Sequence, residues 1–205
     1  MRKPHSLAIG APARVSVVIP TYNRARLVAE SLKSVLNQTF KDFEIIVVDD
    51  GSTDETEDAL SPFFDRITYI SQENCGATRA RNRGAQEAEG EYAAFQDSDD
   101  LWLPDKLERQ MRFLESNPHY AMVIGNSIRI GETRKAGTLV TSAKKAAELE
   151  AAGVSLRDMF QKSRVRTSAI LIKKAVFDEV GGFDPDMKAA QDLDLTFRVL
   201  AAGYK

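Results

Sequence analysis

One repeated unit constrains the fold more than anything else in this chain. It is a short run of β-branched apolar residues that ends in a polar cluster and leads into an amphipathic helix. Val15-Ser16-Val17-Val18-Ile19 is the first such run, and Pro20 closes it. A strand that is nearly continuously apolar, rather than alternating, must be covered on both faces, as in parallel sheets. From Arg24 to Leu36 the apolar positions Leu27, Val28, Leu32, Val35 and Leu36 recur at helical spacing. Glu44 to Val48 is a second buried run, stopped by Asp49-Asp50-Gly51-Ser52, with Ser52 or Thr53 expected to cap the short helix that follows. Ile67 to Ile70 reads as a strand, Ala77 to Ala88 as a helix and Glu91 to Gln96 as a strand. Pro104 is expected as the first residue of a helix reaching about Ser116, with Asn117-Pro118 as its stop. This alternation predicts an α/β fold with a mainly parallel central sheet and helices on both faces. Ligands of such sheets bind outside the carboxyl ends of the strands. Chemistry is therefore expected at Thr21-Tyr22-Asn23, at Asp49-Asp50 and at Asp97 to Asp100.

Beyond Tyr120 the pattern changes. Ala121 to Gly125 and Ser127 to Ile130 read as neighbouring strands around a turn, and Lys144 to Ala152 as a helix. Ser155 to Gln161 reads as a short helix, Thr167 to Ile172 as a strand, and Lys173 to Val180 as a helix broken at Gly181-Gly182. A last amphipathic helix runs from Gln191 to Ala202. Residues 1–13 read as a loose leader before one domain, 14–205, which divides into halves 14–118 and 119–205. The chain stops at Gly203-Tyr204-Lys205, where a strand is expected to begin, so the second half is expected to be truncated.

Composition removes several functions. With 28 Lys+Arg against 30 Asp+Glu, the net charge of -2 argues against binding nucleic acid by phosphate neutralisation. Cys75 is the lone cysteine and His5 and His119 are the two histidines, which excludes a disulfide framework and a Cys- or His-rich metal site. No apolar run approaches the roughly 18 residues that span a bilayer. Met1 to Gly10 also lacks the apolar core of a secretory signal. A soluble protein of a reducing, cytoplasmic compartment is expected.

Four clusters could carry chemistry. Asp97-Ser98-Asp99-Asp100 packs three carboxylates into four residues after a buried strand, which is costly unless a cation compensates. Hard oxygen ligands together with a diphosphate suit Mg²⁺ or Mn²⁺. The same run is also readable as a solvated turn in which Ser98 or Asp100 caps a helix. Asp49-Asp50-Gly51-Ser52-Thr53-Asp54 offers a carboxylate to a nucleobase N–H or a sugar hydroxyl, or else is a βα turn rich in capping residues. Asn74-Cys75-Gly76-Ala77-Thr78-Arg79-Ala80-Arg81-Asn82 could bring backbone and guanidinium to a diphosphate, or be the basic first turn of a solvated helix. Gln191-Asp192-Leu193-Asp194 opens the last helix, where an acid is either a base aimed into a crevice or a cap. There is no G-x-G-x-x-G opening the first helix, no P-loop and no G-x-S-x-G elbow.

In their order along the chain these strings resemble the family 2 inverting glycosyltransferases, of the Rossmann-like GT-A fold. The resemblance runs from about Arg14 to the end. It rests on Val17-Val18-Ile19-Pro20-Thr21-Tyr22-Asn23, Leu36-Asn37-Gln38-Thr39-Phe40, Asp49 to Asp54, Asn74-Cys75-Gly76, Ala80-Arg81-Asn82, the D-x-D segment Asp97 to Asp100, Gly181-Gly182-Phe183-Asp184 and Gln191-Asp192. It implies that 14–118 is the nucleotide-binding half and 119–205 the acceptor-side half. It also implies transfer of a sugar, with inversion, from a nucleoside-diphosphate sugar (a UDP-sugar foremost) to a saccharide, lipid-linked or protein acceptor, in surface polysaccharide or glycoconjugate synthesis. Asp50 resembles the family's nucleobase-binding acid, and Pro20-Thr21-Tyr22 the wall of its pocket. Arg81 resembles the basic residue near base and diphosphate. Asp97 and Ser98 match positions near the ribose and sugar, Asp99 the ligand of Mg²⁺ or Mn²⁺, and Asp192 the general base. The family's Glu-Asp pair reads Gln191-Asp192 here. Peripheral attachment to the inner membrane face through a missing C-terminal segment is a further expectation. Two rivals stay open: a nucleotidyltransferase, and a non-catalytic nucleotide-sugar-binding module of a larger protein.

Overall fold

The computed structural model describes residues 1, 12–130, 136–152 and 165–205. Its centre is a six-stranded sheet built from β1 (Val15–Thr21), β2 (Phe43–Asp49), β3 (Thr68–Ser71), β4 (Tyr92–Phe95), β5 (Met122–Ile124) and β6 (Ile170–Lys173), in the order β3-β2-β1-β4-β6-β5. The first four strands run parallel, with Val15 opposite both Phe43 and Tyr92. β6 runs antiparallel to β4 and to β5. The sheet is thus mostly parallel, as expected, with the reversal confined to β6.

Alternate residues of β1 explain why both faces need helices. Val15, Val17 and Ile19 join one apolar cluster with Val28, Leu32 and Val35 of α1 (Ala25–Leu36), Leu60 of α2 (Thr56–Leu60), and Leu107, Met111 and Leu114 of α4 (Lys106–Ser116). Val18 faces the other way, into a second cluster with Ala85 of α3 (Ala77–Gln86). That cluster also holds Val176 and Phe177 of α6 (Lys174–Glu179) and Leu195 and Val199 of α7 (Gln191–Ala201). α5 spans Ala143–Ala152. α3 lies so close to the sheet that Gly84 has no room for a side chain: a Cβ there would sit 2.4 Å from Val18 Cγ1.

Four expectations are corrected. Ser127 to Ile130 does not pair with the preceding strand, because Ile128 bridges to Leu139 and Val140 N–H donates to the Ser127 carbonyl. Thr167 to Ala169 is a 3₁₀ turn, so the strand begins at Ile170. Neither Ser52 nor Thr53 caps α2. Its N-cap is Glu55, and the Thr56 N–H is taken by the Asp54 carboxylate. Pro104 lies in the turn before α4, which begins at Lys106. The helix expected over Ser155 to Gln161 lies outside the described residues.

The strand order places a topological switch between β1 and β4. From β1 the chain moves outward to β2 and β3, and then returns to the other side of β1 as β4. The crevice outside the carboxyl ends of these strands is where a ligand of such a sheet is held. The close approach of α3 over it gives a direct test. Gly84→Val should lower stability by roughly 1–3 kcal/mol through overpacking against Val18 and Val48, read as a fall in the urea midpoint with an unchanged slope.

Candidate active site

The end of β2 is organised around two buried acids. The Asp49 carboxylate accepts from the Ser52 N–H at 2.8 Å and from the Tyr69 hydroxyl at 2.7 Å. Asp50 Oδ1 accepts from Gln72 Nε2 at 2.7 Å and from the Cys75 N–H at 3.0 Å, with Cys75 Sγ at 3.4 Å. Its Oδ2 accepts from the Gly76 N–H at 2.7 Å. A carboxylate has about four acceptor sites. Among the described residues Oδ2 has one donor, which leaves it room for one further N–H.

The β1 end is tied to this loop. Asp50 N–H donates to the Thr21 carbonyl, Asn23 N–H to the Ser52 hydroxyl, and the Asn23 side-chain oxygen accepts from the N–H of Thr53 and of Asp54. Asn23 adopts a left-handed conformation (φ 50°), which asparagine tolerates better than most residues. Pro20 and Thr21 are buried, whereas Tyr22 is 46% exposed beside the strand ends.

At the end of β4 the three acids have different partners. Asp97 accepts from Arg81 at 2.5 Å, and Arg81 is 8% exposed, with its guanidinium also over the Phe183 ring. Arg81 is therefore built into the floor beside Asp97, not free on a solvated helix turn. Ser98 is buried. Asp99, nearly half exposed, pairs with Arg24. Asp100 accepts from the Ser168 hydroxyl at 2.6 Å, and the same hydroxyl accepts from the Asp97 N–H at 3.0 Å. Ser168 also takes the Trp102 indole N–H on its carbonyl at 2.7 Å, while Lys106 Nζ lies 3.6 Å from the centroid of the Trp102 ring. Burial pushes the Lys106 ammonium well below its usual range.

The Asp192 carboxyl is drawn into the same field. Partial burial raises its pKa, the Leu193 N–H and the Arg166 charge lower it, and the nearby Asp97 charge raises it again. Arg166 acts on Asp100 in the same way. Asp194, two residues on, turns away to an ion pair with Arg198 at 2.6 Å. The helix that carries both acids is preceded by Ala190 at its N-cap, a non-glycine in the left-handed region (φ 59°). Sequence patterns had not singled out Ser168, Arg166 or Arg24. Each reaches the acids after β4 across 66 residues or more of chain, and no local spacing encodes that.

As a donor set the site suits a shared ion rather than a caged one. Among the described residues no three His, Cys, Asp or Glu side chains converge as a metal cluster. Each of the three acids has a partner, and the Arg24–Asp99 pair, exposed on both sides, is the one most open to exchange with an ion, whereas Asp97 is paired with a buried arginine and Asp100 with Ser168. One carboxylate completed by phosphate oxygens is how Mg²⁺ is commonly held.

The architecture is a GT-A fold, shared with solved glycosyltransferases. A mannosyltransferase from Pyrobaculum calidifontis, solved with GDP-Man and Mn²⁺, superposes with a TM-score of 0.74 at 22% identity, over 100% of this chain and 55% of that one. Staphylococcus aureus TarS, solved with UDP-GlcNAc, gives a TM-score of 0.68 at 25% identity, over 90% of this chain and 52% of that one. The family profile described as Glycosyl transferase family 2 matches residues 16–181, and the chain belongs to that family. An uncharacterised glycosyltransferase of Rickettsia typhi is 32% identical over 91% of this chain and 58% of its own length. Bacillus subtilis TuaG, whose name assigns it provisionally to teichuronic acid biosynthesis, is 43% identical over 49% of this chain and 41% of its own. The chain thus spans somewhat over half the length of the first of these relatives. Among the described residues no helix is long and apolar enough to cross a membrane.

The raised Asp192 pKa has a measurable consequence. The folded protein keeps this proton to higher pH than the unfolded chain does, so stability falls as pH rises through that window. Asp192→Asn removes the effect. The stability of the variant relative to wild type should therefore increase from about pH 3 to about pH 7 in urea titrations.

Proposed function

We propose that this chain carries the donor site and the general base of a glycosyltransferase that uses a nucleoside-diphosphate sugar and inverts the anomeric centre. The observation that carries this reading is the placement of Asp192 within the electrostatic reach of Asp97, while Asp194 is spent on Arg198. One acid of the last helix thus joins the acids at the strand ends, where the nucleotide of an α/β sheet is expected.

In this reading residues 14–118 bind the donor and 119–205 form the acceptor side. The remaining acceptor site on Asp50 Oδ2 takes a nucleobase N–H, between the Pro20-Thr21-Tyr22 wall and the Gln72 to Gly76 loop. Asp97 and Ser98 face the ribose and sugar, and Arg81 holds Asp97 in place from beneath. Asp99 is the ligand of Mg²⁺ or Mn²⁺, an ion whose chemistry when bound is to offset negative charge on a departing diphosphate. The presence of Mn²⁺ in the Pyrobaculum complex supports a divalent ion, and the UDP-GlcNAc complex of TarS supports a uridine donor.

The acceptor hydroxyl attacks the anomeric carbon opposite the diphosphate. Its oxygen gains the sugar, the bond from carbon to the diphosphate oxygen breaks, and the hydroxyl proton passes to an Asp192 carboxylate oxygen. Burial suits Asp192 to this task, because a higher pKa makes a stronger base at neutral pH, and general base catalysis contributes typically 10²–10⁴-fold. A saccharide acceptor in surface polysaccharide synthesis is favoured by the name of TuaG.

Incubation with a panel of nucleotide-sugars tests the class. Slow release of nucleoside diphosphate from one of them is expected, whereas binding without release would mark a non-catalytic module. Asp192→Asn should leave UDP affinity nearly intact in calorimetry yet cut sugar transfer by at least about a hundredfold. Asp194→Asn should lose mainly stability, through its Arg198 pair. If the two variants exchange these effects, Asp192 is not the base.

A further inference from the structure

The site leaves one residue without a role. Arg24 stands between β1 and α1, its N–H donating to the Thr56 hydroxyl at 3.3 Å and its carbonyl accepting from the Val28 N–H at 2.9 Å. Its backbone is thereby fixed on one lip of the switch-point crevice. Its guanidinium reaches the other lip and pairs with Asp99. The neighbouring acids are held differently. Asp97 is locked to a buried arginine and Asp100 to a serine hydroxyl that also carries the Asp97 N–H. The Arg24–Asp99 pair is exposed on both sides, 43% and 46%, and it spans the entrance.

An ion pair that open to water contributes little stability, so parting it costs little. Its two halves are also matched to the two charges of a bound donor. A guanidinium presents a planar fork that fits phosphate oxygens, and a lone carboxylate is a hard ligand for a divalent cation. The same pair sets a cation against Asp99, which shares its neighbourhood with the like charge of Asp100.

We propose that Arg24 and Asp99 form an exchange pair: they hold each other across the empty crevice, and on donor binding Asp99 turns to the divalent ion while Arg24 turns to the diphosphate. Arg24 is thus a competitor of the metal in the free protein and a ligand of phosphate in the complex. This rests on the reading above that the crevice takes a nucleoside diphosphate together with a metal.

The two roles move two affinities in opposite directions, which a merely structural arginine would not do. Mn²⁺ is titrated without nucleotide by the loss of its free-ion paramagnetic resonance signal. UDP and GDP are then titrated by calorimetry at saturating Mn²⁺ and in its absence. Wild type, Arg24→Gln, Arg24→Lys and Asp99→Asn are compared. In Arg24→Gln, Mn²⁺ should bind about two- to fivefold more tightly, the range expected for releasing an exposed ion pair. The diphosphate it prefers should bind at least about tenfold more weakly, as befits a lost charged hydrogen bond. Arg24→Lys keeps the charge without the fork and should fall between the two. Equal Mn²⁺ affinity in wild type and Arg24→Gln, or a fall in both affinities together, would overturn the exchange. Failure of Mn²⁺ to strengthen UDP or GDP binding by the wild type, or a strengthening unaffected by Asp99→Asn, would instead overturn the metal reading on which it stands.

Discussion

Removing a carboxylate from water is expensive unless donors replace the lost hydration, and this requirement shapes the whole upper edge of the sheet. Asp49 and Asp50 are each only 3% exposed. Asp50 gathers the side chain of Gln72 and the backbone N–H groups of Cys75 and Gly76, which lie more than 20 residues away. The loop between β3 and α3 therefore has to fold back over the end of β2. Gly51 makes that approach possible: it sits at φ 83°, and a Cβ there would lie 2.9 Å from the Asn74 nitrogen. The acids are first of all the points on which the loops are hung. Their availability to a ligand is what remains after the protein's own donors have been placed.

By that criterion the three acids after β4 are not equivalent, although the sequence presents them as one run. Asp97 is bound into the interior by Arg81, and Asp100 is bound to the opposite half of the chain by Ser168. Ser168 makes several bonds of this kind. Its hydroxyl and carbonyl together fasten Asp97, Asp100 and Trp102 to the start of β6. Asp99 is the acid whose partner, Arg24, is itself exposed. A short acidic run can thus combine two acids tied to buried or distant partners with a third whose ion pair is open to water on both sides.

The first four strands and their helices were legible because each strand is buried on both faces, and such burial leaves a continuous apolar signature in the sequence. β6 was harder to read. Its direction depends on a register with β4 and β5, and its first three expected residues are held in a 3₁₀ turn by the Arg166 carbonyl and the Ala169 N–H. The polar clusters could be placed at strand ends, and the motif order named the family. What each acid of the run is paired with could not be read, since Arg24, Arg81 and Ser168 reach them through contacts 16 to 75 residues apart. Capping by Ser52 or Thr53 failed for a related reason. The Ser52 hydroxyl accepts from the Asn23 N–H and the Thr53 hydroxyl donates to the Asn23 side-chain oxygen, so Asn23 is a long-range competitor for the hydroxyls that local rules assign to the helix.

The remaining question is how a helix from the far end of the chain comes to face these acids, and Asn82 supplies the joint. Its side-chain nitrogen donates to the Phe183 carbonyl at 2.7 Å, and its side-chain oxygen accepts from the Phe183 N–H at 2.9 Å. One amide side chain thus satisfies both backbone groups of a residue 101 positions away, as a neighbouring strand would. Gly182, at φ 68°, leaves only 3.0 Å between its own would-be Cβ and that oxygen, so a side chain there would press on the joint. Phe183 then packs edge-on against Phe95 of β4 and lies under the Arg81 guanidinium. The same ring therefore touches the strand that ends in the acidic run, the arginine that holds Asp97, and the segment that leads into α7. Asp192 is placed near Asp97 by this shared packing and by the Asn82 joint, not by any contact between the two acids, whose like charges repel. The placement buries the carboxyl group, which raises its pKa, and sets it beside the like charge of Asp97, which raises it further, so the packing around Phe183 has to offset that cost.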